Sequence, residues 1–246
     1  MFNKLLVMCA VILFSVSVIF AGDAVCDEEK EMRGYFSIGG TTIDLDDLNT
    51  RLNNKGYSEP SDGLFSIGGG IFQKVSPNVL FGVEGGFLIG DQADSDIGGK
   101  KYSSSILGGY GLLNTAILAY ESDNFEVYPV FGMGLGGINV KVGQSSFDAI
   151  LDNPQRAASM GTMSFLLNVG LETDWKIALS GDNSNDDFFY IGLRGGYLFA
   201  PFSSGWYMDE MSLTGDPDGG MTGPYLRLTI GGGGQFMKSV IKNTTD

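Results

Sequence analysis

Glu84, Glu172, Arg194 and Arg227 are the residues of this chain whose types and spacing suggest chemistry. Each sits in a stretch where apolar residues alternate with glycine and polar ones, on the face opposite its apolar neighbours. Their distances from the turn signals at 76–78 and 180–186, or from Phe236 for Arg227, are similar. If those stretches are strands around one narrow interior, long side chains from any two of them reach each other. Two carboxylates and two guanidiniums then form an ionic cluster, because burying them unpaired is costly. The expected role of such a cluster is to plug a lumen; the alternative is that the four charges line a wet lumen singly.

Other chemistry finds little support. The chain has no histidine, which removes the usual base for a catalytic serine or cysteine and a common zinc ligand. Only a carboxylate-based hydrolase stays open, and the expectation is no enzyme, no cofactor and no metal. The run Gly132-Met-Gly134-Leu-Gly136-Gly137 matches a dinucleotide fingerprint in letters. The mechanism needs a helix N-terminus after it, and Ile138 to Val142 continue a strand. A formal net charge of −14 argues against nucleic acid, whose binding needs a basic footprint. The acidic excess falls in predicted loops, at Asp44, Asp46, Asp47, Asp91, Asp94, Asp96, Asp209, Glu210, Asp216 and Asp218. These are read as solvated loop tips, since none has the spacing of a calcium loop.

The elements that must position the four charges are strands. With 38 glycines and 12% aromatic residues, the composition disfavours helices and is too apolar for disorder. Period-two alternation predicts strands at about 34–43, 64–75, 79–91, 101–120, 125–142, 162–179, 187–200 and 224–236. Long connections at 44–63, 92–100, 143–161 and 201–223 alternate with short ones at 76–78, 121–124 and 180–186. Phe81, Phe165, Leu193 and Leu228 share the apolar face, and Phe72, Phe81, Tyr120, Phe125, Trp175 and Phe189 are expected in an aromatic girdle beside the short turns. Pro129 is expected at a bulge.

Two long connections carry helical spacing. One has Leu45, Leu48 and Leu52 after Asp44 as N-cap; the other has Phe147, Ile150 and Leu151 before Pro154. Both are read as small packed elements that tidy a loop, with a lid over the mouth as the alternative. The last long connection, with Trp206, Tyr207, Met208, Met211 and Met221, is read as folding over its own rim; gripping a partner is the alternative.

Residues 1–21 read as a signal peptide: Lys4, an apolar core from Leu5 to Phe20, and a small residue for cleavage at Ala21 or Ala24. Cys9 leaves with it, so Cys26 is the single cysteine of the exported chain and forms no internal disulfide. Asp23 and Val25 make a poor lipidation signal around it. No later apolar run reaches the roughly 18 residues of a membrane helix, so any spanning of a membrane is done by strands.

The alternating strands, the long-short rhythm of connections and the closing segment Tyr225 to Phe236 resemble the small eight-stranded outer-membrane barrels of the outer membrane protein A and X type. Residues 237–246 depart from that pattern, in which chains usually stop at the aromatic. The resemblance implies an all-β fold, an eight-stranded antiparallel up-and-down transmembrane β-barrel. The expected division is 1–21 signal peptide, 22–33 N-terminal segment, 34–236 barrel and 237–246 tail. It also implies a paired-charge interior and location in the outer membrane of a Gram-negative cell envelope. The expected partners are the lipid bilayer with its lipopolysaccharide, the outer-membrane assembly machinery and a surface partner at 44–63 and 201–223. The expected role is structural or surface interaction; the rivals are a narrow channel or carrier for small hydrophobic molecules and a soluble ligand-binding barrel.

Overall fold

The computed structural model describes residues 30–146, 148, 151, 157–179, 187–208 and 211–236. The signal segment, Cys26, Phe147, Ile150, the connection at 180–186, Asp209, Glu210 and the tail after Phe236 lie outside the described residues.

Among these residues, eight long strands form a closed ring: β1 Lys30–Thr42, β2 Gly63–Ser76, β3 Val79–Ile89, β4 Lys100–Ile117, β5 Phe125–Gln144, β6 Ala157–Ala178, β7 Phe188–Met208 and β8 Gly223–Phe236. Every strand pairs antiparallel with its chain neighbours. The ring closes where β1 meets β8, from Lys30↔Phe236 to Thr41↔Tyr225, which abolishes free edges.

The alternation decides which face is which. Phe36, Val83, Phe87, Leu107, Phe131, Leu171, Leu193 and Leu228 are exposed on the outer face, while Ser37, Glu84, Asn114, Glu172, Arg194 and Arg227 are buried inside. The apolar residues therefore point outward, opposite to a soluble barrel that holds a ligand on an apolar inner wall. Phe72 departs from the expected girdle. It belongs to the inward parity of β2, is 3% exposed and stacks on Tyr35 with centroids 5.9 Å apart. Tyr120 and Trp175 are exposed at the turn end as expected, at 57% and 58%.

Several boundaries moved for identifiable reasons. Residues 92–100 are largely a hairpin, with Ala93–Ile97 pairing back onto β4. Its tip is Gly98-Gly99 with φ of 62° and 77°, a two-residue turn in the conformation that matches strand twist. β7 continues past Pro201 because a register shift opposite Phe165–Leu167 absorbs the proline there. No bulge occurs at Pro129, which pairs in register with Leu171. Its other side lies just past Val130↔Ala116, where the ladder to β4 ends, so the missing N–H has no ladder position to fill.

A nine-residue helix, α1 (Asp46–Asn54), crosses the long-connection end. Leu45 rather than Asp44 is its N-cap, with no side-chain capping bond. Leu45, Leu48 and Leu52 join one buried cluster with Leu64, Leu88, Ile106, Ile138, Val140, Leu166, Leu198, Trp206 and Met221. The helix thus roofs the interior with apolar contacts, as a small packed element.

Candidate functional site

The interior is layered beneath that roof. Glu84 comes from β3, and its carboxylate crosses to the opposite wall, since β3 and β7 stand half a ring apart. Arg194 Nη1 on β7 meets Glu84 Oε2 at 2.5 Å, and Arg227 Nη1 on β8 meets Glu84 Oε1 at 2.6 Å. Arg194 Nη2 reaches Glu172 Oε2 on β6 at 2.6 Å. The structure therefore places Glu84, Glu172, Arg194 and Arg227 in one contiguous group, each no more than 5% exposed.

Their local register explains the geometry. Arg194 faces Arg227 directly across the β7–β8 ladder and Glu172 across the β6–β7 ladder. Two guanidiniums side by side repel, and the shared Glu84 carboxylate between them offsets this. Neutral donors complete its shell: Tyr35 Oη at 3.0 Å, Tyr110 Oη at 3.1 Å and Asn114 Nδ2 at 2.9 Å. The network continues through Asn168 Nδ2 to Asn114 Oδ1, and through Tyr225 Oη to Asn168 Oδ1. Each guanidinium also lies over aromatic faces: Arg194 over Tyr35 and Phe72, and Arg227 over Tyr110 and Tyr225 at 4.7 and 4.3 Å. These contacts hold the cations in a desolvated place.

The inward glycines make room for those rings. A Cβ on Gly70 would stand 2.6 Å from the Tyr35 hydroxyl, and one on Gly86 2.6 Å from that of Tyr110. Gly170 and Gly196 serve Tyr225 in the same way, and Gly231 serves Tyr190.

A second group, absent from the sequence expectation as a unit, lies toward the short-turn end. Arg33 Nε donates to Glu31 Oε1 at 2.5 Å and its Nη1 to Glu126 Oε2 at 2.8 Å, with Asp174 at 3.9 Å. Lys176 pairs with Glu126, Lys74 with Glu31 at 3.3 Å, and Tyr128 Oη donates to Glu126 at 2.7 Å. Between the groups lies a buried cluster that includes Tyr35, Phe72, Leu80, Tyr128, Val130, Phe188 and Tyr190. Part of this group is legible in the sequence, where Asp174 and Lys176 fall on the face opposite Trp175 and Ile177. Glu31 and Arg33 precede the strand expected at 34–43, whereas the first strand starts at Lys30.

Counted by residue type, both groups match basic to acidic side chains: two against two above, three against three below. Such an arrangement binds strands to each other across the lumen. Among the described residues no cluster of metal-ligating side chains occurs.

No family model and no curated protein matches the sequence. Solved structures do. Ail, the attachment invasion locus protein of Yersinia pestis, is 12% identical, covering 85% of this chain and 99% of its own at a TM-score of 0.40. A major outer membrane protein from Thermus thermophilus is 14% identical over 85% and 100%, with a TM-score of 0.43. Neisserial surface protein A is 10% identical over 84% and 97%, with a TM-score of 0.36. The likeness is one of architecture and extends to nothing finer.

Proposed function

We propose that this chain is an integral outer-membrane barrel with a closed lumen, whose role is structural or carried by surface interaction through its long connections. The observation that supports it most is the inverted wall: an exposed apolar belt outside and paired ions inside. Large exposed apolar surface is rare on soluble monomers, and an apolar band flanked by aromatics is how a barrel meets lipid. The apolar roof under α1, the Glu84 group and the Arg33 group stand one below another, which supports a lumen without an open path. The absence of histidine from the sequence supports a non-enzymatic role. In this reading the signal segment delivers the chain to the assembly machinery, and the bilayer with its lipopolysaccharide surrounds the belt. Residues 44–63 and 201–223 face outside, where Tyr207 and Met211 are exposed for a surface partner.

The test is biochemical. Purified protein is expected to need detergent, to give a β-type circular-dichroism spectrum and to show no steady conductance in planar bilayers. A monodisperse, detergent-free monomer would overturn the membrane reading; large steady conductance would overturn the closed lumen alone.

A further inference from the structure

The walls of this barrel are uneven. β4, β5 and β6 run 18, 20 and 22 residues, about twice the 9–11 a tilted strand needs to cross a bilayer. Their outer face changes character on the way up. It is apolar at Leu107 and Met163, then polar at Ser105, Lys141 and Ser159, where Ser159 Oγ donates to Asn139 Oδ1 at 2.9 Å. A polar outer face marks a wall that stands in water. Its inner face is the reverse, carrying Tyr102, Val142, Ala158 and Met160.

Part of that inner face is met by the end of α1. Gly56, with φ of 83°, turns the chain after the helix, and the Tyr57 and Gly56 N–H groups bond back to Leu52 O and Asn53 O. This is the glycine-closed helix end in which a left-handed residue satisfies the last carbonyls. It sends Tyr57 toward Tyr102, and the two rings meet edge-on with centroids 5.5 Å apart. Ser104 Oγ donates to Ser58 O at 3.0 Å, and Ser58 Oγ to Asp94 O at 2.6 Å, which fastens this segment to β4 and its hairpin. What remains between helix and wall is a solvent-open cleft of about 350 Å³, lined by Leu52, Tyr57, Tyr102, Val142, Ala158 and Met160.

We propose that this cleft binds a small, uncharged molecule with a flat apolar body. Its size falls within the roughly 300–1,000 Å³ of small-molecule sites. The tyrosine pair offers ring contacts of the kind aromatic groups prefer. The lining carries no charged side chain. Neither an anion nor a cation gains there. The closed lumen proposed above makes the cleft a place of capture at the surface, distinct from a transport route.

The experiment uses the full-length mature protein in lipid nanodiscs, with 2-naphthol as the probe and saturation-transfer NMR as the readout. Empty nanodiscs report partition into lipid. Saturable binding above that background is expected, weakened about tenfold in Tyr102→Ala and abolished in Met160→Trp, which fills the cleft. Val169→Ala, on the lipid face, is expected to bind as the parent does. The charged isosteres 2-naphthoate and 2-naphthyltrimethylammonium are expected to bind about tenfold more weakly than 2-naphthol. Resistance of each variant to unfolding in sodium dodecyl sulfate without heating confirms an intact barrel. Signal equal to that of empty nanodiscs, or equal binding in folded Met160→Trp, would overturn the proposal. So would a preference for either charged probe.

Discussion

At Glu84 five donors converge on one carboxylate: two guanidiniums, two tyrosine hydroxyls and an amide. Removing one partner from a buried, hydrogen-bonded pair typically costs about 3–5 kcal/mol, chiefly by leaving the other charge uncompensated. Glu84→Ala is therefore expected to destabilise the barrel in that range, and Arg227→Ala to do so as well. Because the two share one interaction, the double variant is expected to lose less than the sum of the singles, measured by urea unfolding from lipid vesicles. Strict additivity would show that the two groups do not act together. A steric prediction sits beside it. Gly86→Ala would place a Cβ 2.6 Å from the Tyr110 hydroxyl, so a loss of about 1–3 kcal/mol from overpacking is expected. No loss in the same assay would show that Tyr110 is free to move. The four charges were legible in the sequence because each interrupts an apolar alternation at the inward parity. The tyrosine–glycine partnerships were not, since they depend on which residues meet across a ladder.

At the scale of elements, strand existence was readable and strand ends were not. The seventh strand was expected to end at 200, and a bulge in its pairing with β6 carries β7 on through Pro201. The hairpin at Ala93–Ile97 read as a loop because Asp94, Ser95 and Asp96 lack strand character. It forms because two glycines supply the turn. The helix was legible from its three leucines, but its place in the roof depends on Trp206 and Met221, far along the chain. α1 is also latched from outside. Arg51 bonds to the carbonyls of Gly215 and Asp216 and to Asp47 Oδ2, and Asp218 N–H donates to Asp47 Oδ2 at 2.9 Å. The Arg51 guanidinium first, and the Asp218 N–H next, hold the Asp47 carboxyl below the usual aspartate range. A depressed folded value means that the stabilisation is complete above the ordinary aspartate value and is lost as pH falls through the lowered one. Amide exchange in α1 is therefore expected to be slower, relative to the intrinsic rate, at about pH 6 than at about pH 2, with the difference reduced in Arg51→Ala. Equal protection at both values would remove the latch from the account.

For the whole molecule, the claim is that one alternating pattern solves two solvent problems at once, lipid outside and paired ions inside. Orientation follows from the rhythm of connections. Epitope tags at Asp96 and Asp216 are expected to be labelled on intact cells and one at Asn183 to be shielded, and the reverse would invert the barrel. The most direct test uses the two tryptophans, which the fold sends to opposite environments. Trp175 is 58% exposed on the outer belt, and Trp206 is 4% exposed under the roof. Single-tryptophan variants, Trp206→Phe and Trp175→Phe, reconstituted in vesicles of brominated lipid, report lipid contact by fluorescence quenching. Strong quenching of Trp175 and little of Trp206 are expected. Unquenched Trp175, or Trp206 quenched as strongly, would contradict that claim.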